Sequence, residues 1–226
     1  MKKFFYILSF MLLLLSSCSE SSYFIDGTSS MPNTPTSNMA YIKEYNQSFN
    51  TSIDSCLVVH GHFQMSGPLD SIMCVGLSMG DGTLIPIILE NGDINVNIAS
   101  SSIQVEGTPL NKDLYTFLSS RDSLIFLISD LPRSEAYLFY RGYSPLQIQN
   151  MLFRKQAQYQ NALDKLEDQF IKDNYKNVLG ITWFCHLMNE VHDYYGYPVI
   201  TPRLRALYRK APHSFRHHPH IAPYFH

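Results

Sequence analysis

Between residues 39 and 105 apolar and polar positions alternate with a period of two, the pattern of strands buried on one face. Ile53, Ser55, Leu57 and Val59 alternate with Asp54, Cys56 and Val58. After His60-Gly61, Phe63 and Met65 share a face opposite His62 and Gln64. Met73, Val75, Leu77 and Met79 form another apolar face that ends at Gly80-Asp81-Gly82. Leu84 to Leu89 is almost wholly apolar but carries Pro86, which cannot donate to a ladder and so predicts an edge or a bulge. Gly61 and, more strongly, Asn91-Gly92 predict two-residue hairpin turns. Ile94, Val96 and Ile98, then Ile103 and Val105, complete a set of about eight short strands with no room for crossover helices, which predicts an antiparallel sandwich or a partly open barrel.

Across Val105–Asn111 the period changes from two to 3.6. Thr108-Pro109 opens a helix with a cap and a proline at its first position, expected to run to Leu131. Ser144-Pro145, with Gln147 three residues after the serine, is a capping box for a second and longest helix. Ile148, Leu152, Tyr159, Leu163, Leu166 and Phe170 make its apolar stripe. A third helix is expected from Asn177 to about Tyr194, with Val178, Ile181, Cys185, Met188 and Val191 on one face, and Thr201-Pro202 begins a shorter one. The fold class is therefore α+β, a β module at 39–107 followed by three to four helices, the main helical segment spanning 108–194. Within 18–38, Tyr23-Phe24-Ile25 is a candidate first strand and the Ser/Thr/Asn/Pro-rich remainder reads as a tether. Thr108 and Asn111 are expected to serve architecture, docking the helices on the sheet.

Composition changes this picture little: 45% hydrophobic, 16% charged and a net charge of −2 over 226 residues exclude a nucleic-acid binder. Charge placement adds more. Beyond Asp193 there is no acidic residue, while Arg203, Arg205, Arg209, Lys210, Arg216 and five of the nine histidines lie there. Residues 195–226 thus read as a basic, His-rich tail with a short helix.

At the other end, Lys2-Lys3 precedes an apolar run from Phe4 to Leu15, too short to span a bilayer and typical of a secretory signal at 1–17. Leu15-Ser16-Ser17-Cys18 resembles a bacterial lipobox, which implies acylation of the Cys18 thiol and a durable membrane anchor, since burial of acyl chains contributes about 0.8 kcal/mol per CH₂. Ser19, rather than aspartate, follows the cysteine, so the expected address is the outer membrane.

Candidate chemistry is sparse. Cys56 and Cys74 lie on strands that can neighbour each other, which leaves a bridge between them open. The odd count of three after Cys18 and the lack of Cys-x-x-Cys favour buried free thiols. Cys185 sits on the apolar stripe of its helix and is expected in the core, although His186 follows it. His60-x-His62 and the group His217, His218, His220 and His226 lack a carboxylate or thiol partner, so no physiological metal site is expected. No paired carboxylates, nucleophile elbow or phosphate loop stands out, and neither catalysis nor a cofactor is expected.

Tyr23–Gly27, Tyr41-Ile42-Lys43, Ile53-Asp54-Ser55 with Gly61 and Phe63, Pro86–Gly92 and Gly107-Thr108-Pro109-Leu110-Asn111 occur in an order that resembles a domain family of unknown function found in lipoproteins of Gram-negative anaerobes. The resemblance extends over roughly 22–194. In that family the domain usually precedes a thioredoxin-like or peroxiredoxin-type module; no such module and no Cys-x-x-Cys is present in these 226 residues. The resemblance carries no catalytic residues over. The expected function is a non-enzymatic, membrane-tethered lipoprotein that binds a protein or envelope component, in part through its cationic tail. The alternative is a stand-alone accessory that positions or regulates a separate thioredoxin-like oxidoreductase. A third, more distant reading is thiol or metal handling through Cys185 or the histidines.

Overall fold

The computed structural model describes residues 21–30, 38–45, 52–80, 84–100 and 102–225; the signal segment, Cys18 and His226 lie outside them. Eight strands come first: β1 Ser22–Ser29, β2 Met39–Glu44, β3 Ser52–Leu57, β4 His62–Pro68, β5 Met73–Ser78, β6 Ile85–Leu89, β7 Gly92–Ala99 and β8 Ser102–Glu106. Helices follow: α1 Pro109–Tyr140, α2 Pro145–Asp173, α3 Val178–Tyr195, α4 Pro202–Lys210 and the single turn α5 His213–Arg216.

The strands form two four-stranded sheets, ordered β4-β1-β7-β8 and β3-β2-β5-β6. Tyr23, Ile25, Phe63, Met65, Ile94 and Val96 from the first sheet meet Ile42, Val75, Leu77 and Ile87 from the second in one sandwich core. The first sheet alternates strictly, buried then exposed, because its outer face meets water. The second is buried on both faces along β5 and β6 because helices cover its outside, which explains the unbroken apolar run at Ile85–Leu89. Pro86 lies on β6, an edge strand, where a missing donor costs least.

The candidate first strand is present as β1 and lies inside its sheet, antiparallel to β4 and parallel to β7, the one parallel pairing among the described strands. Other expectations need correction. The two turns expected to close hairpins instead carry the chain from one sheet to the other. His60 (φ 52°) and Gly61 (φ 80°) make a tight turn with only the Val59–His62 bridge around it, and Asn91-Gly92 joins β6 of one sheet to β7 of the other. Both flanking strands bury an apolar face in the same core, and they do so from opposite walls. The first helix also does not stop at Leu131. It continues through Pro132 to Tyr140 and, at 32 residues, exceeds the 29 of α2. Buried Leu131 ahead of the proline and half-buried Leu138 after it extend the helical face beyond the expected end.

The basic, His-rich tail carries its short helix and is packed. Leu204, Leu207, Ala211, Phe215 and Ile221 are buried in a second core with Phe117, Ile171 and Phe184, and Phe225 stacks on Tyr208 at 3.8 Å. A third, small cluster of Ile88, Leu114 and Leu179 ties that helical core to the outer face of the second sheet.

Candidate functional site

The turn from β8 into α1 sets where every helix goes. Gly107 adopts φ 105°, and a Cβ there would run into the Asp93 carbonyl oxygen, so only glycine releases the chain at this point. Thr108 occupies the cap position of α1 in extended conformation, but its hydroxyl caps nothing. The cap comes from another element: buried Glu90, at the end of β6, accepts from the N–H groups of Leu110 (2.8 Å) and Asn111 (3.1 Å). A carboxylate at a helix N-terminus satisfies orphan donors and opposes the helix dipole together. Asn111, fully buried, then treats the β6 edge as a strand would. Its Oδ1 accepts from Ile88 N–H at 2.9 Å, and its Nδ2 donates to the Ile88 carbonyl at 2.7 Å and to Thr108 Oγ1 at 2.8 Å. The Thr-Pro signal located the helix start correctly; the capping group, distant in sequence, carried no local signal.

From this clamp α1 passes an aromatic base, Phe117 stacked on Phe170 at 3.8 Å with Trp183 edge-on at 4.7 Å. Beside it Arg121 donates to Glu167 (3.0 Å) and Glu190 (3.2 Å). Arg203 donates to Asp164, Glu167 and Asp168 at 3.1, 3.1 and 2.7 Å. One of the expected tail cations is thereby consumed in tying α4 to α2; Arg205, Arg209 and Lys210 stay exposed. Beyond Arg121 no described element other than α2 packs substantially on α1, and the two form a projecting arm. The distal half of α1 is rich in apolar residues, interrupted by Asp130, Arg133 and Glu135: Leu124, Ile125 and Ile128 are half-covered, while Phe126, Tyr137, Phe139 and Tyr140 are exposed, Tyr140 to 90%. Leu146 and Phe153 are exposed on α2.

The singled-out side chains fall as follows. Cys56 faces the sandwich core and Cys74 the helical side of the same sheet, with β2 between their strands. Register and strand spacing place them roughly 15–20 Å apart, beyond the ~7 Å that a disulfide spans, and all three described cysteines are free thiols. His60 and His62 are exposed at their turn. His217 stacks on His213 at 3.7 Å. His218 and His220 reach a cavity that also takes in Cys74 and Cys185. No three His, Cys, Asp or Glu side chains converge to hold a metal among the described residues.

Burial pushes the Cys185 and Cys74 thiols up to about 12, the Cys74 shift opposed by a hydrogen bond to Thr182, and it raises Cys56 as well. These thiols are protonated at neutral pH and are poor nucleophiles. With Ellman's reagent at pH 7.5, the half-buried Cys56 and Cys74 should react before Cys185, which reacts only as fast as the protein opens. Fast labelling of Cys185 would overturn its placement in the core. The folded values lie above those of the unfolded chain. Stability is therefore complete below about pH 9 and falls as pH rises through the range where unfolded thiols ionise.

Residues 23–114 match the family model of DUF4369, a domain of unknown function. The match begins in β1, takes in both sheets and the Glu90–Asn111 clamp, and ends at Leu114, the first α1 side chain in the cluster with Ile88. The DUF4369 portion is thus the sandwich with the docking turn; the arm and the C-terminal helices lie outside it. No curated protein and no solved structure matches the chain.

Proposed function

We propose that this protein is a lipid-anchored, non-catalytic binding module of the cell envelope, and that the α1–α2 arm is the part that meets its partner. The observation that carries this reading is the set of exposed aromatic side chains on the distal half of α1, Phe126, Tyr137, Phe139 and Tyr140, on a helix that α2 covers on one side. Exposed tyrosine and phenylalanine, interspersed with Arg133, Arg141 and Arg154, are the residue types that concentrate binding energy at protein interfaces. The neutral thiols and the commitment of Glu167, Asp164, Asp168 and Glu190 to ion pairs support a binding role over a catalytic one.

Position supports it further. The backbone N–H of Ser22 donates to Asn91 Oδ1 at 3.1 Å, so the N-terminal entry lies beside the start of α1. Cys18 is four residues upstream. The arm tip lies at the far end of α1, about 48 Å away for a 32-residue helix. An anchor at Cys18 would hold the sandwich near the bilayer and extend the arm from it. Among the described residues no helix is long and apolar enough to cross a membrane.

The anchor is tested by Cys18→Ala in cells. The expected result is loss of processing at the lipobox and release from the membrane fraction; a mutant processed normally and retained in that fraction would contradict it. A narrower form of the same reading has a thioredoxin-like protein as the partner, following the family resemblance.

A further inference from the structure

A cavity of about 660 Å³ lies outside the sandwich, between the start of β5, one face of α3 and the C-terminal segment. Its origin is local. Where α3 crosses β5 the facing residues are short, namely Cys74, Thr182 and Cys185, and they leave unfilled the space that larger side chains would take. Ile72, Leu110, Val178, Ile181 and Met188 supply an apolar part of the wall, and polar side chains supply the rest. The volume falls within the range of about 300–1,000 Å³ typical of small-molecule sites, which combine apolar walls with a few convergent polar groups. Those groups are present in Thr182, Asn189, His218 and His220.

The charge pattern selects the ligand class. Glu44 and Lys176 both lie on the lining, one charge of each sign. Burial keeps the Cys74, Cys185 and Tyr45 protons in place and pushes His218 down toward its neutral form, with His220 adding to that effect. An ionised head group would gain no net counter-charge from this pair, while a hydroxyl or carbonyl would find both donors and acceptors. Sulfur and methyl walls accommodate a flexible chain.

We propose that this cavity is a binding site for an uncharged amphiphile, a long-chain acyl or prenyl molecule ending in a hydroxyl or carbonyl group. The site is separate from the arm and meets the Glu90–Asn111 clamp only at Leu110.

The test is photoaffinity labelling of the full-length protein in membranes with a diazirine-bearing long-chain alcohol, with labelled positions read by peptide mass spectrometry. Label is expected on 72–74 and 178–188, displaced by unlabelled alcohol more effectively than by the matching carboxylate. Ile181→Trp, which fills the space, should lower it by about tenfold or more, small-to-large changes in a packed site being poorly accommodated. Val178→Phe provides a second variant should Ile181→Trp fail to fold. Label concentrated on the arm residues 126–153, label unaffected by the folded filling variant, or equal displacement by the carboxylate would each overturn the proposal.

Discussion

Asn111→Leu should destabilise the fold by about 4 kcal/mol, the larger of the two effects expected from single substitutions. Leucine is close to asparagine in shape, so the cost comes from hydrogen bonding. The Ile88 N–H and carbonyl, on a fully buried residue, lose their partners, and each unsatisfied buried group costs about 1–3 kcal/mol. Thr108 Oγ1 loses its donor as well. Asn111→Asp should also be costly, since it keeps an acceptor for Ile88 N–H but sets a carboxylate against the Ile88 carbonyl, close to Glu90. Urea denaturation followed by circular dichroism measures both. A loss below about 1 kcal/mol for Asn111→Leu would mean that water or a rearranged β6 replaces the side chain, and the clamp would not be what docks the helices.

Glu167→Ala should cost about 3 kcal/mol, because one carboxylate with 4% of its side chain exposed receives two guanidinium groups. Removing one member of a buried ion pair leaves charge without compensation, typically worth about 3–5 kcal/mol. The lower figure applies here because Arg121 keeps Glu190 and Arg203 keeps Asp164 and Asp168. Arg203→Ala made on top of Glu167→Ala should add less than it costs alone, since the two share one interaction. Strict additivity would show that the network is ornamental. Acidification acts in the same direction. A hydrogen bond from His186, with Arg121 and Arg203 contributing, holds the Glu190 carboxyl below its usual 4.5. Its contribution is complete above that value and is lost as pH falls through the lower folded one.

The sandwich and the order of the helices were legible in the sequence because each follows from local periodicity. Ile94, Val96 and Ile98 alternate, and Ser144 with Gln147 forms the capping box that the hydrogen bonds show. What escaped was decided between elements. Asn91-Gly92 encodes a tight turn, but whether such a turn closes a ladder or crosses between walls depends on which sheet each strand joins. Pro132 reads as a stop by backbone chemistry alone, and the helix nevertheless continues to Tyr140. Glu90 gave no sign that it caps a helix twenty residues on. The histidine tail looked like a solvated cationic segment because Leu204, Leu207, Phe215 and Ile221 are spaced too irregularly to announce a core.

The arm has the same character. The sequence places the end of this helix at Leu131, and only the position of Leu124–Tyr140 beyond Arg121, with α2 as its one substantial neighbour, makes its exposed apolar surface meaningful. The most direct test of the proposed role is a photocrosslinking amino acid placed at Tyr140 in the otherwise native protein in cells, compared with the same residue at Leu57, exposed on edge strand β3. The account predicts a discrete adduct with an envelope protein at 140 and none at 57. No adduct at 140, or the same adducts at both positions, would contradict it.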